Sequence, residues 1–372
     1  MAAVGVDRRP ARPGRRSGSS PPAAPTARRR RWVLVALSGL LAGVILLNAM
    51  IGAVRLPPGA VLAILAESVG IDVDVASTDQ QAAVLWAIRL PRIALAAVVG
   101  AALALCGAVM QGIFRNPLAE PGIIGVSSGA ALGAVVAILA GGSFTGGYLA
   151  ALSIPLAAFV GALVATVAVY LTARHQGRTE VVTLVLCGIA VSAIAGAGVG
   201  LAQFLADDEE LRSIVFWALG SASGARWADL VVVLPLVVGG TVVATRLAAT
   251  LNLLVLGERE ARYLGVATER VRLTLIVVCA LVTGAAVAVA GIVGFVGLVV
   301  PHLVRLLFGP DHELLLPAST IAGAALLLLA DLVARTLAAP AELPLGVVTA
   351  LVGGPFFFWL LRRTRRDQGA WG

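Results

Sequence analysis

Long apolar stretches separated by short polar turns dominate the chain. A membrane-spanning helix needs about 20 apolar residues, and ten stretches of about that size are centred near residues 44, 101, 132, 161, 193, 238, 281, 300, 325 and 353. We therefore predict an all-α, polytopic membrane protein with about ten transmembrane helices within residues 32–363. The Arg- and Pro-rich residues 1–31 cannot bury a core and are predicted to be disordered. Residues 364–372 are predicted to form a polar tail.

Composition agrees with this prediction and fixes an orientation. Hydrophobic residues make up 59% of the chain and charged residues 13%, whereas roughly a quarter of a soluble domain is charged. All 28 basic residues are Arg, and with ten alternating helices most of them fall on the side of the N-terminus. The positive-inside rule then places both termini in the cytoplasm. The net charge of +8 thus orients the helices in the membrane and does not imply nucleic acid.

The segment "RNPLAEPG" interrupts the apolar pattern after the second predicted helix. Its landmark residues are Arg115, Asn116, Pro117, Glu120 and Pro121. A residue that precedes proline is driven away from helical geometry, so the helix must end here. Irregular backbone at membrane depth is tolerated only where protein or water satisfies its polar groups. We therefore predict a buried or cavity-lining turn at the inner face, with an architectural role.

The most charged internal stretch is "LGEREARYLGVATERV", residues 256–271. We predict a short helix that Gly265 caps, followed by a helix that Thr268 begins with Glu269 in its first turn. The segment is either a solvated cytoplasmic loop or a helical surface that docks a soluble partner.

Polar residues also occur near the ends of the later apolar stretches. Asp331 and Arg335 are four residues apart and can form an ion pair on one helix face, with Glu342 just beyond. Such residues are functional or form a structural salt bridge. The three cysteines lie inside apolar stretches without metal-ligand spacing, so we predict neither a disulfide framework nor a metal site. Glycines recur at four-residue spacing, which favours close helix packing; these are Gly125, Gly129 and Gly133, and Gly196 and Gly200.

Two other functions are consistent with parts of the sequence. Gly125, Ser127 and Gly129 match the G-x-S-x-G pattern of serine hydrolases, but that motif needs a strand-to-helix elbow, and membrane helices are predicted here. An ion-coupled secondary transporter would carry ionisable side chains near the midplane, whereas the predicted spans are nearly free of charge at their centres. A Walker A loop needs a Lys, and the chain has none, so any ATP hydrolysis must occur in a partner.

Three long segments together resemble the permease subunits of ABC importers for ferric siderophores, haem and cobalamin. They are "RLPRIALAAVVGAALALCGAVMQGIFRNPLAEPGIIGVSSGAALG" (89–133), "LNLLVLGEREARYLGV" (251–266) and the stretch from "VAGIVGFVGLVVPHLVRLLFGPDHE" to "GGPFFFWLL" (289–361). The likeness covers nearly all of residues 33–363. It implies a type II ABC importer permease that works as a homodimer, or with a close paralogue, around a central path. It further implies two cytoplasmic ATPase subunits, which hold ATP and Mg²⁺, an extracytoplasmic binding protein and a metal-chelate substrate. No cofactor is expected on this chain, and ferric siderophore is the predicted chelate, with haem or cobalamin as alternatives.

The resemblance also assigns roles to individual residues. The family's outer-face arginines that meet the binding protein match Arg89, Arg92 and Arg335. The coupling helices that seat in the ATPase match residues 257–270; the residues assigned to this contact are Gly257, Glu258, Arg259, Glu260, Ala261, Arg262, Leu264 and Gly265.

Overall fold

The computed structural model describes residues 27–52, 56–68, 70–71, 78–141, 148–175 and 178–369, and these are almost entirely helical. The helices, numbered along the chain, are α1 (Ala27–Met50), α2 (Pro58–Glu67), α3 (Asp79–Val84), α4 (Leu90–Phe114), α5 (Val126–Leu139), α6 (Tyr148–Ala173), α7 (Val181–Leu205), α8 (Asp208–Leu219), α9 (Trp227–Arg246), α10 (Ala248–Leu256), α11 (Glu258–Tyr263), α12 (Thr268–Ala290), α13 (Val296–Phe308), α14 (His312–Thr336) and α15 (Leu345–Gly369). A π-helical turn (Leu85–Arg89) joins α3 to α4, and a 3-10 turn (Pro121–Ile124) precedes α5. Two short antiparallel strands, β1 (Arg174–His175) and β2 (Arg178–Thr179), link α6 to α7.

The predicted all-α membrane architecture is confirmed, and each of the ten predicted centres falls within a helix. Among the described residues, 7 helices are long and apolar enough to cross a membrane. Three further centres lie in the shorter apolar helices α5, α13 and α15. At 14 residues, α5 is about 21 Å long, which is less than the ~30 Å hydrocarbon core. It is short because the 3-10 turn and the left-handed Gly125 replace its first turns.

Helix α4 forms the centre of the bundle. Its apolar segment is 78% buried, whereas the corresponding segments of α1 and α7 are 17% buried. It packs against α14, α12, α13 and α9. At the crossing with α14, a Cβ on Gly100 would lie 2.3 Å from the carbonyl oxygen of Gly323, so only glycine permits this approach. Close contacts between the backbones of α4 and α14 therefore hold the buried helix in place. Such packing is expected in a membrane, where the burial of apolar side chains does not drive helix association.

The two sets of glycines at four-residue spacing differ in their packing. A Cβ on Gly133 of α5 would lie 2.1 Å from the carbonyl oxygen of Ala157 on α6, and Gly129 meets the same helix. Gly196 and Gly200 of α7, in contrast, have no atom within 4 Å of such a Cβ. The first set packs helices together, and the second lies on an open face of the chain.

Both predicted tail boundaries differ from the helix ends. Helix α1 begins at Ala27, inside the segment expected to be disordered, whereas residues 1–26 lie outside the described residues. Four arginines in a first turn oppose the helix dipole, but Arg30 forms ion pairs with Asp311 and Glu313 at the start of α14. Helix α15 continues to Gly369, beyond the boundary predicted at residue 363. In both cases backbone hydrogen bonding extends past the last apolar residue, which the apolar pattern cannot reveal.

Candidate functional site

Three arginines meet at the end of the bundle where α4 begins and α14 ends. Arg92 donates three hydrogen bonds of 2.9–3.0 Å to the Asp331 carboxylate and a fourth of 2.8 Å to Glu342. Arg92 is 8% exposed and Asp331 is 1% exposed. Glu342 is 41% exposed at its side chain and forms the outer edge of this ion cluster.

Arg335 and Arg89 tie the same region to α1. Arg335 donates 2.8 Å hydrogen bonds to the backbone oxygen and to Oδ1 of the buried Asn48. Arg89 donates to the carbonyl oxygen of Ala49 and is 4% exposed. The Asp331–Arg335 pair expected from the sequence is present at 3.8 Å, but the shorter contacts of Asp331 go to Arg92. The structure thus brings all three sequence-predicted docking residues together, with their guanidinium groups turned inward; binding-protein docking stays a prediction.

The opposite end carries the charged segment. Arg272 of α12 is 3% exposed and donates to the carbonyl oxygen of Thr179 at 2.7 Å and to Glu269 at 2.8 Å. It also forms an ion pair with Glu258 of α11, which Arg262 meets at 3.2 Å. Arg272 therefore fastens α11, α12 and the α6–α7 link to one another.

Helix α11 presents an outward face that none of the described residues covers. Ala261 is fully buried under the helix, whereas Tyr263 is 90% exposed and Leu264 is 64% exposed. Gly265 has a left-handed φ of 82°, and its N–H donates to the Arg262 carbonyl at 2.9 Å, as a glycine that ends a helix does. Thr268 begins α12. The boundary at Gly265 agrees with the sequence prediction, and Thr268 is the first residue of α12 as predicted, but it does not cap the helix: Ala267 occupies the cap position and no side chain caps the backbone there. We call this exposed surface, formed by Arg259, Glu260, Tyr263 and Leu264, the α11 platform.

The turn after α4 is only partly buried. Arg115 adopts a left-handed φ of 48°, and Arg115, Asn116 and Pro117 are exposed. The expectation of a buried or cavity-lining turn therefore does not hold for its first half, which is exposed and is not among the residues that line the cavity described next. The physical reason is local: the Asn116 Oδ1 accepts the N–H of Leu118 at 2.9 Å, so the broken backbone satisfies itself and meets solvent. Glu120 and Pro121 return toward the interior.

The second half of the turn lines a cavity of about 240 Å³. Glu120 lies on its wall, and burial raises the pKa of this carboxyl above its ordinary value. The other lining residues are Leu103, Pro121, Gly122, Ser127, Ser128, Ser192, Thr283, Ile292, Val293, Gly294, Phe295 and Gly297. We call it the inner cavity.

This arrangement contradicts the hydrolase alternative. Ser127 stands in the first turn of α5 after a 3-10 turn, so the strand that a nucleophile elbow requires is absent from this part of the described chain. Its neighbour Ser128 hydrogen-bonds to the Gly125 carbonyl and to Ser192 at 3.0–3.1 Å. No histidine is among the residues that line the cavity. A His general base of the Ser-His-Asp kind is therefore missing from this site.

Sequence reasoning missed several of these residues. Thr283 and Phe295 line the inner cavity, and Phe295 has a left-handed φ of 66°, which no pattern predicts for a phenylalanine. Arg272 lies three residues after Glu269 in the sequence, and this helical spacing could have indicated their ion pair. Among the described residues, no group of three or more His, Cys, Asp or Glu side chains could hold a metal ion.

Comparison with known proteins agrees with this architecture. Residues 40–363 match the FecCD transport family. A hemin transport system permease protein of Yersinia pestis is 47% identical over 281 residues, which cover 76% of this chain and 84% of the relative. A cobalamin import system permease protein of Halobacterium salinarum is 48% identical over 281 residues, covering 75% of this chain and 73% of the relative.

A solved structure has the same fold. It is described as an inward-facing conformation of a metal-chelate type ABC transporter and shares 35% sequence identity with this chain at a TM-score of 0.78. The alignment covers 90% of this chain and 99% of that one. These matches confirm the resemblance that the three sequence segments carry, and the chain belongs to the FecCD transport family of ABC transporter permeases.

Proposed function

We propose that this chain is the membrane-spanning permease subunit of an ATP-driven importer for a bulky metal chelate. The observation that carries the proposal is the α11 platform, because its exposed Tyr263 and Leu264 stand on a helix that Arg272 fastens to the rest of the bundle. Exposed apolar side chains on a rigid, charged helix are suited to a protein interface. An ATPase that docks there can transmit movement directly to α12 and to the α6–α7 link.

We propose the partners that the resemblance implies. They are a second copy of this chain or a close paralogue, two ATPase subunits on the α11 platforms, and a binding protein at the end that carries Arg92. In this assembly the chain itself performs no catalysis. An ion-coupled secondary transporter is disfavoured because the relatives are permease components of import systems and the related structure is an ABC transporter.

Substituting Tyr263 and Leu264 tests the ATPase contact. We expect Tyr263→Ser combined with Leu264→Ser to abolish co-purification of the ATPase, because a few exposed aromatic and apolar side chains carry most of the energy of an interface. Phe216→Ser is the matched control, since Phe216 is also exposed, at 61%, on α8 at the opposite end. The measurement is ATPase recovery and chelate-stimulated ATP hydrolysis with the purified complex. Full recovery with the double variant would refute this contact.

Within the chelate class we favour a metal tetrapyrrole. Relatives named for haem and for cobalamin are 47% and 48% identical to this chain; the ferric siderophore expected from sequence remains a prediction. The decisive experiment measures uptake into proteoliposomes that contain the permease, its ATPase and its binding protein. Haem, cobalamin and a ferric hydroxamate are supplied separately. ATP-dependent accumulation of the hydroxamate alone would contradict the tetrapyrrole assignment, whereas accumulation of haem or cobalamin supports it.

A further inference from the structure

The inner cavity lies where two breaks in the helical backbone face each other. One break is the turn from Leu118 to Gly125, and the other is the segment between α12 and α13 that ends at the left-handed Phe295. The cavity reaches Leu103, which precedes the end of α4 by about 16 Å along the helix axis. Interrupted helices release backbone carbonyls from their helical partners, and such breaks hold cations in membrane transporters.

The oxygen chemistry of the wall is that of a hard-cation site. A carboxylate, from Glu120, and hydroxyl groups from Ser127, Ser128, Ser192 and Thr283 line the cavity. Carboxylate, hydroxyl and carbonyl oxygens are the ligands that alkali and alkaline-earth cations prefer. None of the lining residues is Arg or His, so the wall supplies no positive charge to balance Glu120.

The Thr283 hydroxyl and the Glu120 carboxylate on this wall have no hydrogen-bond partner among the described residues. The Thr283 hydroxyl is buried without a hydrogen-bond partner, and Thr283 is 1% exposed. Among the described residues, none donates a hydrogen bond to the Glu120 carboxylate, whereas the wall hydroxyls of Ser128 and Ser192 are hydrogen-bonded to each other. Buried polar groups are almost always satisfied, so an orphan hydroxyl on a residue of this cavity wall indicates a missing ligand.

We propose that the inner cavity binds a small monovalent metal cation, with Glu120 as its single anionic ligand and the Thr283 hydroxyl as a neutral one. One carboxylate balances one positive charge, whereas sites for divalent cations usually combine several charged ligands. The volume of about 240 Å³ leaves room for water molecules of ~30 Å³ each around the ion. The bound cation would stabilise the junction of the two backbone breaks, whichever chelate the transporter carries.

The test measures the midpoint of thermal unfolding of the purified full chain at constant ionic strength. N-methylglucamine chloride is replaced stepwise by sodium or potassium chloride. We expect a saturable rise of at least about 2 °C with one of the metal cations. Glu120→Gln should abolish the rise, and Thr283→Val should raise the half-saturating concentration roughly three- to tenfold.

Matched controls separate the site from general salt effects. Glu67→Gln alters an exposed carboxylate on α2, and Thr166→Val removes a buried hydroxyl that is already bonded to the Ala162 carbonyl; both should keep the rise. The proposal is overturned if the wild-type midpoint is the same in all three salts, or if the rise persists in Glu120→Gln. A further result would also overturn the proposal: a wild-type midpoint that is equal in all salts and lower than the midpoint of Glu120→Gln. That result would mean that a proton, and not a metal cation, neutralises Glu120.

Discussion

The Arg92–Asp331–Glu342 cluster yields a quantitative prediction. The perturbation is Asp331→Asn, which removes one negative charge from the interior and keeps the side-chain volume. Asp331 is 1% exposed and accepts three hydrogen bonds from Arg92. The substitution leaves a guanidinium group that is buried and retains only the half-exposed Glu342 as its ionic partner.

The magnitude follows from burial. Removing one partner of a buried ion pair costs about 3–5 kcal/mol where the remaining charge is left uncompensated; Arg92 keeps its contact with Glu342, so we expect the lower end of that range. Glu342→Gln removes a partner whose side chain is 41% exposed, and pairs of that kind contribute about 0.2–1 kcal/mol. We therefore expect Asp331→Asn to lower the free energy of unfolding several-fold more than Glu342→Gln, although both remove a carboxylate bonded to Arg92.

The assay is equilibrium unfolding of the purified chain in mixed detergent micelles, with Asp331→Asn and Glu342→Gln measured side by side. Replacing both partners, as in Arg92→Met with Asp331→Leu, should recover part of the loss, because the buried Arg92 charge is then removed together with its partner, whereas the buried Arg335 still loses its contact with Asp331. Equal and small effects of the two carboxylate substitutions would refute the view that this cluster is an internal clamp. Arg92→Ala that left stability unchanged but abolished capture by the binding protein would instead favour a direct docking role.

Three further substitutions test other parts of the fold in the same unfolding assay. Gly133→Ala should destabilise the chain by about 1–3 kcal/mol, because its Cβ would lie 2.1 Å from the Ala157 carbonyl oxygen. Gly196→Ala, the control, should be neutral or slightly stabilising. Equal effects of the two substitutions would contradict the close approach of α5 to α6. Arg115→Gly should raise the free energy of unfolding by about 1 kcal/mol, because glycine adopts the left-handed φ at this position without steric strain. A decrease in the free energy of unfolding would contradict this prediction. Arg30→Gln should lower the free energy of unfolding by about 1 kcal/mol by opening the contact between α1 and α14; an unchanged free energy of unfolding would contradict this contribution.

Most of the fold was predictable from the apolar pattern of the sequence. Each predicted span lies in a helix because a chain in lipid must satisfy its backbone within helices, so apolar length alone reveals them. The stop of α11 at Gly265 was also predictable, because a left-handed glycine ends a helix through residues that are neighbours in sequence. The start of α12 fell at Thr268 as predicted, but without the side-chain cap on which that prediction was based.

The long-range contacts were not predictable in the same way. Spacing indicated Asp331 and Arg335 as a pair because residues four apart share a helix face, whereas the principal partner of Asp331 is Arg92 on another helix. That contact depends on how α4 crosses α14. The inner cavity was unpredictable for the same reason: Glu120 and Thr283 line one cavity only because the turn after α4 lies beside α12 in the folded chain.

Transport by the chain with and without an ATPase tests the central claim most directly. The purified chain is reconstituted in sealed vesicles with the metal chelate and its binding protein outside, first alone and then with the partner ATPase and ATP inside. The account predicts no accumulation against a gradient by the chain alone, with or without ion gradients, and accumulation once ATPase and ATP are both present. Concentrative uptake by the chain alone would contradict it.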